Sequence, residues 1–407
     1  VISADPPWLE SRPAELAERQ DAPAQAEVAV IGGGLAGLAA ALFLAEAGVA
    51  VTLLEAAGSL AAGFSGRASG LVPVGLGEHP GRLVDAVGLD AARQMHAFLR
   101  DGRQLLVTRG ALGEGGLLTV CAMPEEEAEV RAAPAVLERL GEQALAWSAE
   151  EVAARLHGAG LGLGYLAPEG GAVAPLALAA DLARAARAAG ARLCVDQGVR
   201  SLDEGPGGTV LRGPRLELQA DAVILAGGHD MAALVPWLAP ILSPVRHQWI
   251  ATAPVAAGRL PWPILGQHTL SSWQQLPAGQ GAGRTGAGRI VAGGARYAAA
   301  DMAFGQDDAT RLDPAMDRVL RANLARFFPD LATVPVTHAW AAIATHACDG
   351  LPVIGPLPGR ATLVCCTAFQ GWDHALALRA GQAVAHGLLS GKAPGVPALF
   401  SPHRMVL

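Results

Sequence analysis

Residues 28–55 read VAVIGGGLAGLAAALFLAEAGVAVTLLE. Val28 to Ile31 is a short apolar run, suited to a strand buried on both faces. Gly32, Gly34 and Gly37 follow at G-x-G-x-x-G spacing, an Ala/Leu-rich segment continues to Ala47, and Gly48 stands where a helix C-cap stands. Val49 to Leu54 reads as a second strand, closed by Glu55. In such a unit one glycine makes the turn tight, one lets backbone approach a pyrophosphate, and one lets helix and strand pack closely. The helix start then offers free N–H groups and a positive dipole end to phosphates. Glu55, 18 residues after Gly37, is placed to accept both ribose hydroxyls of an adenosine. The competing reading is a transmembrane helix, because Val28 to Ala45 runs 18 residues without a charge. Glycines gathered at one end, no basic flank, and a second strand following without a polar loop favour dinucleotide binding.

A chain of 407 residues is too long for one ordinary core and implies two domains. Hydrophobic residues at 51%, punctuated by 51 glycines and 28 prolines, describe a turn-rich folded protein and exclude a disordered one. The net charge of −7 is spread out, with no basic stripe for nucleic acid and no polybasic patch for a membrane surface. Five cysteines without paired spacing point to neither a metal site nor a disulfide framework. With no secretion-type leader at its start, the chain is expected in the cytoplasm.

Residues 1–26, with four prolines, read as a surface arm pinned by Trp8, with a short helix at Ala14 to Gln20. The glycine-dense stretch after Glu55, carrying Gly58, Gly63, Gly66, Gly70 and the single Arg67, is either backbone laid against a flat ligand or an ordinary loop. Helices are expected over 80–103 and 124–156, with a hairpin at 104–121 turning at Gly113 to Gly116. Ser148 with Glu151 fits a capping box. An amphipathic helix over Leu176 to Ala189 precedes several short strands, the last of them Asp221 to Ala226, ending at Gly227 and Gly228. Strands and hairpins fill 236–300, including the low-complexity stretch from Gly279 to Gly288. Pro314 to Phe328 is a helix, Val336 to Ala344 a strand, 349–355 a turn, and Ala361 to Thr367 a buried strand. Asp373 is placed as N-cap of a last helix ending at Gly391.

In this order the parts resemble the FAD-dependent D-amino acid oxidase and glycine oxidase family, and most of all its branch of γ-glutamylputrescine-type and other amine oxidoreductases. The similarity runs from about residue 27 to 391, through the first glycine motif with Glu55, GFSGRASGLV, GAVAPLALAADLARAARAAGARL, DAVILAGG, SPVRHQWIAT, HAW with DGLPVIG, and FQGWDHALALRAGQAVAHGLLSG. The resemblance implies an α/β fold: a discontinuous Rossmann-like FAD-binding domain from 1–85, 155–235 and 340–407, and a substrate domain on an antiparallel sheet from 86–154 and 236–339. It puts FAD on Gly32, Gly34, Gly37 and Glu55, with Ser65, Gly66 and Arg67 near pyrophosphate and isoalloxazine. Val199 would meet the adenine, Ala226 and Gly227 would close over the cofactor, and Gly371, Trp372 and Asp373 would form the turn at the flavin pyrimidine edge. It further implies oxidation of a small amine or amino acid by hydride transfer to flavin N5, with O₂ or another acceptor reoxidising the flavin.

The chain departs from the family in places. Where amino-acid-oxidising members carry an Arg four residues after the Trp of W-x-G, this chain has Ala344. A buried substrate carboxylate without such a fork is costly, which favours an amine or N-substituted amino acid. Arg246 and Arg296 are the candidates to replace the fork, and Arg246 reads equally as a strand-surface charge. The G-H-G turn becomes Gly371-Trp372-Asp373, where Asp373 either caps its own helix or, with His374, meets a cationic amine or tunes the flavin. Tyr297 is a candidate aromatic hydroxyl over the substrate, set against simple packing. Arg67 aligns with the His, and Ala342 with the Cys, of covalently flavinylated relatives, so the FAD is expected to be non-covalent. Cys348, Cys365 and Cys366 read as packed thiols. Three competing readings remain: a D-amino acid or glycine oxidase using a non-standard carboxylate site, a nicotinamide-dependent dehydrogenase, and a flavoprotein fold whose chemistry is lost or redirected, as a non-oxidase or a partner subunit.

Overall fold

Strand β1 (Gln25–Ile31), helix α1 (Leu35–Glu46) and strand β2 (Val51–Leu54) form where the apolar pattern places them. The computed structural model describes residues 2–113, 115–276, 287–391 and 395–406. Gly279 to Gly286 of the low-complexity stretch lie outside the described residues. The chain divides into two compact units: Val1–Ser11, Ser69–Ala174 and Val245–Ile343 form one, and Arg12–Ala68, Pro175–Pro244 and Ala344–Leu407 the other.

The second of these is built on a parallel sheet. β1 pairs in parallel with β2 on one side and with Leu216–Leu225 on the other, so Val28 to Ile31 are buried on both faces. Leu216–Leu225 pairs in parallel with Arg360–Thr367, and β2 with Arg192–Cys194. Val353–Leu357 joins antiparallel at one edge, and a meander of Ser201–Gly205 and Gly208–Gly213 leans on Leu216–Leu225. The chain extends the sheet first to one side of β1 and later to the other, so the carboxyl ends of β1 and Leu216–Leu225 flank a topological switch point. Helices Pro175–Ala188 and Asp373–Ser390 pack on α1, which is buried almost all round. Gly381 permits that approach, since a Cβ there would meet the Ala36 carbonyl oxygen at 2.5 Å. All-round burial in protein explains the long uncharged run. No helix among the described residues is long and apolar enough to cross a membrane.

The other unit carries a mixed sheet in the order Val336–Ala347, Leu242–Val255, Gly288–Gly294, Ser271–Gln275, Ile264–Gly266, Leu117–Val120, Gly164–Ala167, Leu145–Trp147. Alternation along the strands makes two cores. Leu118, Val120, Ile250, Ile264 and Trp273 pack with Leu320, Leu324 and Phe327 of helix Pro314–Phe327. Tyr165 and Ala167, facing the other way, pack with Val130, Ala133 and Leu137 of helix Glu127–Arg139.

Several expectations change. The described residues form no hairpin at 104–121: helix Leu89–Thr108 takes the start of that stretch, and Leu117–Val120 pairs with distant strands. The local turn signal yields to tertiary pairing. The expected turn at 349–355 ends in strand Val353–Leu357. Trp8 is buried edge-on against Trp340 in the same unit, and the arm adds a bridge between Ser3 and His338. The Ser148–Glu151 capping box is present in both directions, at 3.1 and 2.8 Å. Cys348 is exposed, whereas Cys365 and Cys366 are fully buried.

Candidate active site

At the end of β1, Gly32 has φ +111°, and a Cβ there would lie 2.6 Å from the Ala226 carbonyl oxygen and 2.7 Å from Gly227 N. Gly37 is tighter: its Cβ would lie 2.0 Å from the Gly32 carbonyl oxygen. Gly34 lies under Ser65, whose Oγ accepts the Leu35 N–H at 3.2 Å. Gly66 is pressed on the Ala61 carbonyl, 2.1 Å from where a Cβ would be. The backbone is therefore drawn close at Gly32, Gly34, Gly37, Ser65, Gly66, Ala226 and Gly227, all within one unit. The first-turn N–H groups of α1 have no intrahelical acceptor.

Glu55 sits at the end of β2. Its two carboxylate oxygens accept the N–H groups of Gly33 at 2.7 Å and Ala57 at 2.8 Å. Burial pushes the carboxyl up from its ordinary range, and these hydrogen bonds oppose the shift. Each oxygen keeps a lone pair for a further donor. Sequence reading assigned Glu55 to a ribose and missed its second task, clamping the glycine turn. Arg67 ends the short helix Phe64–Arg67, and half-buried Val199 packs on the core beside β1 and β2.

The turn before helix Asp373–Ser390 follows the carboxyl end of Arg360–Thr367, on the same sheet edge as the ends of β1 and Leu216–Leu225. Ala368, Gln370 and Gly371 have φ of +61°, +59° and +85°. Left-handed non-glycine residues store strain, and such strain gathers at functional sites. Gln370 lies within the FQGWD segment, but nothing in the sequence marks the strained backbone there or at Ala368. Asp373 is not the N-cap: Trp372 holds that position and makes no side-chain cap hydrogen bond. His374 is buried.

Burial pushes the Asp373 carboxyl from 3.8 up to about 7. The folded protein thus keeps a proton that the unfolded chain releases at lower pH. The group is without cost below about pH 4, its cost grows as pH rises towards 7, and then levels off. Asp373→Asn is expected to stabilise the FAD-free protein more at pH 8 than at pH 5 in urea unfolding. An equal gain at both pH values would show that the carboxyl does not titrate in that window.

The other candidates lie in the mixed-sheet unit. Arg246 is buried, not on the strand surface, and donates to the Asp308 carbonyl at 2.8 Å. Arg296 donates to the Met302 carbonyl at 3.3 Å and lies over the Phe304 ring at 5.9 Å, and burial lowers its guanidinium to about 10. The Tyr297 ring is exposed, but its hydroxyl donates to Gln267 Oε1 at 3.0 Å and accepts from Asn323 Nδ2 at 2.9 Å. Gln267 and Asn323, both buried, are residues that sequence reading missed, since no spacing relates them.

The glycine cradle, the helix start behind it and the acid at the end of β2 fit an adenine dinucleotide. The chain belongs to the FAD dependent oxidoreductase family, whose profile matches residues 27–386. It is a flavoprotein enzyme, and its cofactor is FAD. Over 333 residues it is 26% identical to a probable oxidoreductase, OrdL, of Rhizobium meliloti (strain 1021), covering 78% of this chain and 72% of that protein. A carotenoid phi-ring synthase of Streptomyces griseus is 46% identical over 80 residues, 20% of this chain and 13% of that protein. Among solved structures, glycine oxidase from Geobacillus kaustophilus shares the fold with TM-score 0.75 and 23% identity, covering 94% of this chain and 99% of that one. L-proline dehydrogenase from P. horikoshii shares it with TM-score 0.79 and 18% identity, covering 94% and 98%.

Proposed function

We propose that this enzyme oxidises the C–N bond of a small amine or an N-substituted amino acid. The observation that carries this reading is Ala344, an uncharged residue only 1% exposed, at the position where amino-acid-oxidising relatives place a guanidinium. The two solved structures of the same fold are named for glycine and L-proline, the second an N-substituted amino acid.

In this reading residues 1–85, 155–235 and 340–407 hold FAD, and 86–154 and 236–339 recognise the substrate. Gly32, Gly34 and Gly37 bring backbone to the pyrophosphate, and Glu55 takes the ribose hydroxyls on its remaining lone pairs. Ser65, Gly66 and Arg67 approach the pyrophosphate and ring, Val199 the adenine, and Ala226 and Gly227 close over the cofactor. The turn Gly371–Trp372–Asp373, whose Trp372 N–H donates to the Phe369 carbonyl at 3.0 Å, lies at the flavin pyrimidine edge, and His374 supports it. When bound, non-covalently, the flavin supplies a hydride acceptor at N5 and passes the electrons on to O₂ or another acceptor. Desolvated Arg296, with Arg246 and Tyr297, orients the substrate, and the imine product hydrolyses in water. Glu55→Ala is expected to weaken FAD binding about 10- to 100-fold, roughly 1.4–2.7 kcal/mol, read by flavin fluorescence titration.

The test is anaerobic addition of amines, N-substituted amino acids and α-amino acids to the yellow protein, followed by acid precipitation. Bleaching near 450 nm by one of the first two classes, with colour released by acid, is expected. Bleaching by plain α-amino acids alone would overturn the substrate class, and colour that stays with the precipitate would overturn the non-covalent assignment. The match to a carotenoid phi-ring synthase favours a second reading, redirected flavin chemistry, and a spectrum that no amine or amino acid bleaches would select it.

A further inference from the structure

We propose that His79, Glu129 and His268 form a binding site for a divalent transition metal ion, Zn²⁺ by preference, in the mixed-sheet unit. His79 immediately precedes helix Pro80–Val87, Glu129 lies in the first turn of helix Glu127–Arg139, and His268 sits in the turn between strands Ile264–Gly266 and Ser271–Gln275. Their ligand atoms all lie within 4.8 Å of one another, and His79 Nε2 and His268 Nδ1 each stand 3.5 Å from Glu129 Oε2. Zn²⁺ with bonds of about 2.0–2.2 Å in a tetrahedral shell holds neighbouring ligand atoms about 3.3–3.6 Å apart. Two imidazoles and one carboxylate suit Zn²⁺ and its transition-metal neighbours better than Mg²⁺ or Ca²⁺.

A second observation is independent of this spacing. The His79 side chain is only 2% exposed, and among the described residues neither of its ring nitrogens has a hydrogen-bond partner, the facing carboxylates standing at 3.5 and 3.9 Å. Glu129 Oε2, the oxygen facing both imidazoles, likewise has none. Buried polar atoms left unsatisfied are costly, and each calls for a reason. A cation at this point would satisfy both. Glu126 adds negative charge, with Oε1 3.9 Å from His79 Nε2, while its carboxylate accepts the N–H groups of Ala122, Met123 and His268.

Without metal, Arg82 supplies the positive charge. Its Nε donates to Glu129 Oε1 at 2.6 Å, and its Nη2 lies 3.2 Å from His268 Nδ1. This side chain is 47% exposed, so it can turn into solvent as a metal enters. The metal would then tie together segments far apart in the chain.

The test is titration of chelator-stripped, FAD-loaded protein with ZnCl₂ at pH 7.5, by calorimetry and by thermal unfolding. One equivalent is expected to bind and raise the unfolding temperature. His79→Ala and Glu129→Gln should each weaken binding about 10-fold or more, whereas Arg82→Ala should strengthen it, because the competing cation is gone. Glu129 is part-exposed, so its variant reports even if His79→Ala fails to fold. The proposal falls if no Zn²⁺ binds, if Glu129→Gln binds as wild type does, or if Cys348→Ser alone abolishes binding and so moves the site to the exposed thiol.

Discussion

Gly37→Val is expected to yield a folded but colourless protein that retains no FAD. A Cβ at Gly37 would lie 2.0 Å from the Gly32 carbonyl oxygen, and the obstacle is backbone, which cannot step aside as a side chain would. The start of α1 must lift off the end of β1, and the amides proposed to meet the pyrophosphate move with it. Overpacking of this kind costs about 1–3 kcal/mol of stability. The expected loss in FAD affinity is at least about 100-fold, some 2.7 kcal/mol. The ratio of absorbance at 450 nm to that at 280 nm in the purified variant, and an FAD titration, measure it. Gly48→Ala is the control. Gly48 has a left-handed φ, +82°, but among the described residues nothing lies within 4 Å of a Cβ there, so about 1 kcal/mol of backbone strain should leave FAD binding intact. A yellow Gly37→Val protein would mean that FAD does not lie on this turn.

Glu142→Ala is expected to destabilise the mixed-sheet unit by about 3–5 kcal/mol, the loss that follows when one member of a buried ion pair is removed. Arg103 is 3% exposed and donates to Glu142, to Glu169 at 3.2 Å and to the Val74 carbonyl at 3.0 Å. His96 Nδ1 lies 3.4 Å from the other Glu142 oxygen. Burial raises the Glu142 carboxyl, but hydrogen bonds from His96 and Arg103 win, and its pKa falls below the usual range. The stabilisation is therefore present above about pH 4 and lost as pH falls further. Urea unfolding should show a large gap between wild type and variant at pH 7 that narrows towards pH 3. Replacing Arg103 by Met and Glu142 by Leu together should recover much of the loss, since the penalty lies in the orphaned charge and not in a missing attraction. A gap under about 1 kcal/mol at pH 7 would show that water reaches Arg103.

The part of the molecule legible in the sequence is the part whose physics is local. Val28 to Glu55 announces strand, turn, helix and strand within a single stretch, and Gly32 and Gly37 sit where a side chain would strike backbone. The capping box at Ser148 was legible for the same reason, because both partners lie within one turn of helix. The hairpin expected at 104–121 was wrong because its glycines look like a turn in isolation. In the folded protein Leu117–Val120 takes its partners from Gly164–Ala167 and Ile264–Gly266. The cap expected at Asp373 failed in a similar way: the strained turn at Ala368 to Gly371 passes the capping position to Trp372.

Sequence by itself determined that this chain makes a dinucleotide-binding βαβ unit of the FAD dependent oxidoreductase family. That information is carried by backbone conformation and by apolar periods of a few residues. The tertiary structure alone decided which polar groups meet. His79, Glu129 and His268 converge from three segments, Arg103 is enclosed by Glu142 and Glu169, and Tyr297 is bound to Gln267 and Asn323. Side-chain electrostatics act through a few ångströms of space and carry no period along the chain, so these groups become visible only where the fold has brought them together.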